Sequence, residues 1–332
     1  MRIAIDLMGG DSSPLVLFEG VLQAAAVLPD LEQLVILATA SYIPKIQQLL
    51  SQQPKLSVAI SLLEVAEFIK MAEAPALAVR RKKEASLLIG LQYLRDKKVD
   101  AFITMGNTGA LVLGARHYLE TLPGISRPGL LALIPSEKKP VAVIDVGGNV
   151  SCSAKDLVQF SRLGAAFYRC LFDVASPKVG LLNVGTEAKK GSQTMQNAYN
   201  ELRGIAKTAP GAFKFMGNVE GNSVFKGNVN VLVTDGLTGN VFLKTAEGTS
   251  AFLLKKIDRI LQKNPLLLDR SLHSIIAKLD PQESPGATLC GVDGIVIKCH
   301  GSATAKALFQ GIRGAYNLVK NNYIKKISDL CS

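Results

Sequence analysis

The chain has no tryptophan, only three histidines and five cysteines among its 332 residues. Cys152, Cys170, Cys290, Cys299 and Cys331 form no Cys-x-x-Cys pair, which excludes a zinc ribbon or a redox motif of that spacing. Their odd number and wide spacing predict reduced thiols in a cytoplasmic protein. The first residues read as a strand without a signal-peptide pattern, and no apolar run approaches the ~20 residues of a membrane span.

Several sequence motifs are also absent. The dinucleotide-binding pattern G-x-G-x-x-G is missing, and no Ser-His-Asp or Cys-His pattern is recognisable. Basic residues outnumber acidic ones by 38 to 27, which gives a net charge of +11 and favours acidic partners such as nucleic acid, anionic lipid or an acidic protein. Since no dense cluster of basic residues is interleaved with aromatics, we expect no nucleic-acid partner.

What the chain does have is a series of buried strands, each followed by a glycine-rich turn and a helix. The central example is residues 217–248, where a buried strand at 229–234 is followed by Asp-Gly-Leu-Thr-Gly-Asn and a helix. Such turns bind anions through free N–H groups and the positive end of the helix dipole, although a single one is more often just a tight turn. The candidate binding residues in this stretch are Asn218, Glu220, Asp235, Gly236, Thr238, Gly239 and Asn240.

The N-terminal strand, Arg2 to Asp6, ends in a loop with the same character. Gly9 and Gly10 lie in this loop as candidate phosphate-binding residues, bracketed by Asp6 and Asp11. We expect the two carboxylates to orient loop N–H groups or to accept a substrate hydrogen bond, with helix capping as the alternative for Asp11.

A basic run at residues 79–86 supports two interpretations. It is either a solvated helix face or, because spacings of three and four share a helix face, a place where Lys82 or Lys83 joins Ser86 in binding a phosphate-sized anion.

Further strand-end turns carry polar residues, and Gly-Asn pairs recur at five of the turn-like sites. We expect these turns to converge at the carboxyl edge of an open α/β sheet, where such sheets bind ligands. A lysine and a histidine also follow strands, although a lone histidine is more often structural. These further candidates are Gly106, Asn107, Thr108, Gly109, Asp145, Asn149, Lys190 and His300.

Taken in order, these motifs resemble the phosphate acyltransferase family of bacterial phospholipid synthesis (the PlsX family) over nearly the whole chain. The matching segments are 6–11, 106–110, 127–128, 181–185, 190–191, 217–221, 235–240 and 300–302. Small departures occur at Gly148, Cys290 and Ala303, where the family usually has alanine, leucine and serine. The resemblance implies a single three-layer α/β/α sandwich over residues 1–332, Rossmann-like and similar to isopropylmalate dehydrogenase and phosphate acetyltransferase.

The resemblance also implies a function. It predicts a homodimer that moves a fatty acyl group from acyl-carrier protein to inorganic phosphate, without metal or cofactor. The enzyme is expected at the cytoplasmic membrane surface, beside a membrane glycerol-3-phosphate acyltransferase. A helical hairpin at about 249–280, with Leu266, Leu267 and Leu268 at its tip, is either a membrane contact or ordinary packing.

The reaction assigns roles to four residues. Lys190 binds phosphate or transition-state charge, Asn218 and Asn240 donate to the oxyanion, and His300 or Lys190 protonates the thiolate. An acyl-cysteine mechanism at Cys290 or Cys299 is disfavoured because both lie in apolar strand contexts. Two other functions stay open: an NAD-dependent dehydrogenase on a related fold, and a noncatalytic membrane scaffold that binds acyl-carrier protein.

Overall fold

The computed structural model describes residues 1–54, 56–208, 211, 213–264 and 269–331. The fold is of the α/β class, as predicted, and the chain forms two compact units. Unit 1 comprises Met1–Leu130, Arg169–Asp173 and Pro285–Ser332, and unit 2 comprises Leu131–Tyr168 and Val174–Ser284. Elements are numbered in order along the whole chain.

Unit 1 contains a six-stranded sheet in the order β3-β2-β1-β4-β11-β10, in which β10 alone is antiparallel to its neighbour. Its strands are β1 (Arg2–Asp6), β2 (Gln33–Thr39), β3 (Ala59–Val65), β4 (Ala101–Thr104), β10 (Ala287–Cys290) and β11 (Ile295–Lys298). Its helices are α1 (Pro14–Val27), α2 (Ile43–Ser51), α3 (Pro75–Arg81), α4 (Ser86–Arg95), α5 (Thr108–Tyr118), α11 (Ala305–Lys320) and α12 (Tyr323–Cys331).

Helices α1 and α11 of unit 1 pack closely against each other. A Cβ atom at Gly20 of α1 would lie 2.2 Å from the carbonyl oxygen of Ala305, so the α1–α11 contact requires glycine. The parallel strands β1, β2, β4 and β11 are almost wholly buried, which is typical of sheets covered on both faces, whereas the edge strand β3 is only partly buried.

Unit 2 contains a five-stranded sheet in the order β5-β6-β9-β7-β8, with β5 antiparallel to β6 and the other pairs parallel. Its strands are β5 (Gly129–Ile134), whose first two residues belong to unit 1, β6 (Val141–Ile144), β7 (Lys178–Leu182), β8 (Lys214–Val219) and β9 (Val231–Val233). Its helices are α6 (Ala154–Phe172), whose last residues belong to unit 1, α7 (Gln193–Thr208), α8 (Gly221–Val224), α9 (Gly236–Lys263) and α10 (Arg270–Leu279).

Two local predictions were wrong. Gly217 and Asn218 lie within β8 rather than in a turn, and the Gly239–Asn240 pair lies inside α9. The first arm of the predicted hairpin is continuous with the helix after Asp235, because α9 runs unbroken for 28 residues to Lys263. The predicted tip leucines, Leu266 to Leu268, lie outside the described residues. Within the described part of the chain, no helix is both long and apolar enough to cross a bilayer.

Candidate active-site loops

A row of three buried polar residues crosses the carboxyl edge of the sheet in unit 1. Asp6, Thr104 and Lys298 are register partners on the neighbouring parallel strands β1, β4 and β11, and each is at most 8% exposed. The Thr104 hydroxyl donates to Asp6 Oδ2 at 2.8 Å and accepts from Gly106 N at 2.9 Å. Neither Thr104 nor Lys298 is among the residues predicted from the sequence.

The side chains of this row bond the first residues of the three loops that follow β1, β4 and β11. Asp6 Oδ1 accepts from Met8 N at 2.9 Å, while Lys298 Nζ donates to the carbonyl oxygens of Met105 and Cys299. Burial raises the pKa of Asp6 to about 6, against the opposing effects of its hydrogen bonds and of the Lys298 charge.

The three loops pack closely through glycines. A Cβ atom at Gly10 would lie 2.9 Å from the Gly301 carbonyl oxygen, and one at Gly9, whose φ is +78°, would lie 3.3 Å from Gly106 Cα. Asp11 N also donates to Gly301 O at 2.7 Å. These three strand-end loops of unit 1 therefore meet at the carboxyl edge of its sheet, and the loop at Gly106 is the one among them that carries a Gly-Asn pair.

Several N–H groups on these loops keep no partner. Among the described residues, the backbone N–H groups of Gly9, Gly10, Thr108 and Gly109 make no hydrogen bond. Thr108 and Gly109 are the first two residues of α5, where the helix dipole adds positive potential. The touching loops thus carry four donors suited to an anion.

The predicted polar residues around these donors have structural contacts. The Asn107 side chain accepts from Ala110 N at 3.0 Å and donates to the carbonyls of Met71 and Glu73, so it caps α5 and ties down the preceding loop. Asp11 is exposed, and Ser13 rather than Asp11 caps α1.

The proposed pairing of Lys82 with Ser86 on one helix is wrong. Lys82 is the C-cap residue after α3 and Ser86 begins α4, so a turn separates the two short helices. Lys82 Nζ instead contacts Glu73 Oε1 at 2.8 Å and Phe68 O at 2.9 Å. The Ser86 hydroxyl is buried near Asp6 and lowers the pKa of that carboxyl, yet the pair does not reach hydrogen-bond geometry.

His300 is exposed at the loop after β11. Its Nδ1 lies 2.8 Å from Ser302 Oγ and 3.3 Å from Ser302 N. Because a backbone N–H only donates, Nδ1 acts as an acceptor toward it, which places the ring proton on Nε2 in the neutral form.

In unit 2, Asp145 follows β6 and organises the turn after it. Its carboxylate accepts from the N–H groups of Gly147, Gly148 and Asn149 at 3.1, 2.8 and 2.6 Å, and from Asn149 Nδ2 at 2.8 Å. The N–H groups of this turn are consequently directed inward at Asp145.

The start of α9 packs directly on that turn. Asp235 caps the helix through Thr238 N and Thr238 Oγ1, at 2.9 and 2.8 Å, and Gly236 N donates to Asn149 O. A Cβ atom at Gly239 would lie 1.9 Å from Asp145 O, so only glycine fits there. Phosphate binding by Asp145, Asn149, Asp235, Gly236, Thr238 and Gly239 stays a prediction, since these groups mainly hold one another.

The turn that carries Lys190 is held by side-chain amides. Asn218 Nδ2 donates to Glu187 O at 2.8 Å, Asn183 Nδ2 donates to Lys190 O at 3.1 Å, and Gln196 Nε2 donates to Lys189 O at 3.0 Å. These bonds use backbone carbonyl groups of the turn and do not involve the Lys190 side chain. Lys190 is exposed, and its ammonium group has no partner in the described part of the chain.

The other predicted residues of unit 2 are partly accounted for. Asn218 is 5% exposed, and its Oδ1 has no partner among the described residues. Because one Nδ2 hydrogen already bonds Glu187 O, donation to an oxyanion would use the second Nδ2 hydrogen. Asn240 is exposed beside Gly147, while Glu220 precedes α8 without capping it.

The described thiols are unsuited to nucleophilic catalysis. Burial, followed by the charge of Asp145, raises the pKa of the Cys152 thiol to about 12, and burial raises that of Cys299 to about 11. Cys290 is buried and accepts from the Tyr323 hydroxyl at 3.3 Å. No cluster of metal-ligating side chains occurs among residues that the structure describes.

Comparison with solved structures defines the fold class. A phosphotransacetylase from Streptococcus pyogenes matches with a TM-score of 0.61 at 18% identity, and the match covers 98% of this chain and 94% of that one. The EutD phosphotransacetylase from Staphylococcus aureus matches with a TM-score of 0.60 at 17% identity and the same coverage. A putative 4-hydroxythreonine-4-phosphate dehydrogenase from Salmonella typhimurium follows at 0.52 and 14% identity, covering 96% and 99%. The fold is thus shared by phosphotransacetylases and a group of dehydrogenases.

Sequence comparison is more specific. The family model described as "Fatty acid synthesis protein" matches residues 1–326. The phosphate acyltransferase of Chlamydia pneumoniae is 37% identical over 332 residues, covering 98% of each chain, and that of Magnetococcus marinus is 35% identical over 335 residues, covering 99% of this chain and 95% of the relative. The chain belongs to the phosphate acyltransferase family, and the predicted resemblance is confirmed.

Proposed function

We propose that the chain transfers a fatty acyl group from acyl-carrier protein to inorganic phosphate and releases acyl phosphate for phospholipid synthesis. Family membership supports an acyl substrate and phosphate. The observation that carries the proposal further is the set of unpaired N–H groups at Gly9, Gly10, Thr108 and Gly109, because an anion is their natural partner.

The chemistry needs no covalent enzyme intermediate. A phosphate oxygen attacks the thioester carbonyl carbon, a C–O bond forms and the C–S bond breaks, and the proton of hydrogen phosphate ends on the released thiol. In this proposal the cradle of N–H groups binds phosphate, and Lys190 stabilises negative charge as it develops. Asn218 and Asn240 donate to the oxyanion, and His300 or Lys190 relays the proton.

The phosphate cradle is testable at Thr108 because proline is tolerated at the first position of a helix. The preceding residue, Asn107, already has the extended φ and ψ of −57° and 121° that a following proline requires. Thr108→Pro therefore removes one donor while preserving the helix, and Thr108→Ala removes only the hydroxyl.

We expect Thr108→Pro to raise KM for phosphate at least about tenfold relative to Thr108→Ala, the scale of one hydrogen bond to a charged group. Steady-state kinetics on both purified variants, with melting temperatures as the folding control, gives the comparison. Equal phosphate KM values in the two folded variants would contradict the cradle.

We also propose that the homodimer works at the membrane surface and passes acyl phosphate to a membrane glycerol-3-phosphate acyltransferase. Support comes from α9, where Phe252, Leu253 and Ile260 are 47–60% exposed beside lysines, a pattern typical of interfacial helices. Leu253 and Ile260 lie two turns apart on one face.

The membrane contact is tested by vesicle co-sedimentation. Leu253→Glu with Ile260→Glu should weaken binding to anionic vesicles by about tenfold or more, since charge enters the apolar face. Ala251→Glu with Gln262→Glu adds the same charge on the opposite, exposed face and serves as the control. Unchanged pelleting of the first variant would show that α9 is not the contact.

A further inference from the structure

Helix α3 carries a basic surface that the proposed catalytic roles do not use. Leu77, Arg80 and Arg81 are exposed, and their spacing of three and four places them on one face of the helix, while Ala78 is buried. Lys83 is exposed just beyond the helix. We call Leu77, Arg80, Arg81 and Lys83 the α3 basic face.

The charge on this face is not neutralised locally. Lys82 forms an ion pair with Glu73 at 2.8 Å, so those two charges cancel. Arg80, Arg81 and Lys83 have no acidic partner among the described residues, and Glu84 is the exposed acidic residue next to them. An apolar side chain flanked by unpaired cations favours an acidic partner with an apolar seam.

The face is mechanically tied to the loops that carry the unpaired N–H groups. Asn107 donates to the carbonyls of Met71 and Glu73 just before α3, and a Cβ atom at Gly109 would lie 2.6 Å from Pro75 Cγ. The helix has seven residues and so spans about 10 Å. A partner bound to this face therefore sits about one short helix away from the N–H groups of α5.

We propose that the α3 basic face docks the acidic carrier protein that delivers the acyl thioester. This inference rests on the proposed function and names the surface on which its protein substrate binds. Arginines at 80 and 81 pair with carboxylates of the carrier, and Leu77 packs against its apolar seam. A carrier is favoured over a lipid surface because this face has a single exposed apolar side chain, too little for stable insertion.

The test compares two double charge reversals. Arg80→Glu with Arg81→Glu alters the α3 basic face, whereas Lys325→Glu with Lys326→Glu makes the same charge change at adjacent exposed residues of α12. Acyl transfer to phosphate is measured with acyl-carrier protein and with a small acyl thioester lacking the carrier, at low and high salt.

We expect the α3 reversal to raise KM for acyl-carrier protein at least about tenfold and to flatten its salt dependence. KM for phosphate and turnover of the small thioester should stay within about twofold, and the α12 reversal should have little effect. Equal KM values for the carrier in the two variants would overturn the inference, as would an α3 variant that loses only its binding to anionic vesicles. Absence of phosphate-dependent transfer in the wild type would instead refute the proposed function.

Discussion

Asp6 and Asp145 occupy equivalent places in the two units, yet they treat the turns that follow them in opposite ways. Both are buried at the carboxyl end of a parallel strand and precede a Gly-Gly pair. Asp145 accepts from all three N–H groups of residues 147–149, whereas Asp6, among the described residues, accepts only from Met8 N and the Thr104 hydroxyl. A buried aspartate before a Gly-Gly pair thus closes one turn against an anion and leaves the other open at Gly9 and Gly10, with one more residue between Asp6 and its glycines than between Asp145 and its glycines.

The comparison shows that an Asp-to-glycine-turn motif does not by itself define an anion site. What decides is whether the carboxylate or an external ligand receives the N–H groups. In the proposed mechanism, the positive charge that unit 2 supplies comes from the exposed Lys190 rather than from the Asp145 turn. In unit 1 it comes from backbone donors and the start of α5.

The largest effect should follow from Asp145→Asn. The amide offers one acceptor oxygen where the carboxylate offers two, and its NH₂ group then faces N–H donors. We expect the free energy of unfolding to fall by about 4 kcal/mol, the scale of two lost charge-assisted hydrogen bonds. Chemical denaturation measures this, and the exposed Asp11→Asn should change stability by less than about 0.5 kcal/mol. Equal effects would remove the distinction between an organising and a free carboxylate.

A second substitution, at Asp6, tests the open turn through the pH dependence of the free energy of unfolding. The folded-state pKa of Asp6 is raised from 3.8 to about 6, so the folded protein holds this proton more tightly than the unfolded chain. The contribution of Asp6 to the free energy of unfolding should therefore fall as pH rises from about 4 to about 6 and then level off.

Asp6→Asn lacks this titration. The free energy of unfolding of Asp6→Asn, measured relative to wild type, should rise by about 3 kcal/mol between pH 3.5 and pH 7, because a pKa shift of about two units corresponds to about this energy. Denaturation curves of the two proteins across this range give the difference, and parallel pH profiles would contradict the assigned burial of an ionising Asp6.

The third change addresses the lysine that unit 2 supplies. Lys190→Ala should lower turnover at least ~100-fold, as for loss of one donor that stabilises transition-state charge. Lys189→Ala, at the adjacent exposed lysine of the same turn, should retain turnover within about threefold. Near-normal turnover in a folded Lys190→Ala protein would refute the role of Lys190.

Much of the fold follows from the sequence, because buried strands such as β2 and β9 carry apolar runs bounded by turn residues. The secondary-structure predictions were wrong where the local sequence pattern indicates a turn but strand pairing or helix packing determines the structure. Gly217 resembles a turn residue but lies within β8 at a register shift, where Met216 and Gly217 stand opposite the single residue Gly180 of β7. Gly239 also resembles a turn residue but lies inside α9, where only glycine fits against Asp145 O.

The candidate site was only partly predictable. The pattern of strands followed by glycine-rich turns selected the glycine loops and Lys190. Periodicity cannot show that Asp6, Thr104 and Lys298 lie in register on three neighbouring strands, because they are about 100 to 300 residues apart in sequence. Nor does sequence reveal which N–H groups of a turn are already bonded, since this depends on where one carboxylate points.

The transfer of an acyl group to phosphate is tested most directly by trapping the product. Wild-type protein is incubated with acylated acyl-carrier protein in the presence or absence of inorganic phosphate, and carrier thiol is measured before the carrier and its unreacted thioester are removed. Hydroxylamine, added only after that removal, converts acyl phosphate to an acyl hydroxamate. We predict one hydroxamate per carrier thiol released, formed only when phosphate is present. Thiol release that is independent of phosphate, or no release at all, would contradict the assignment.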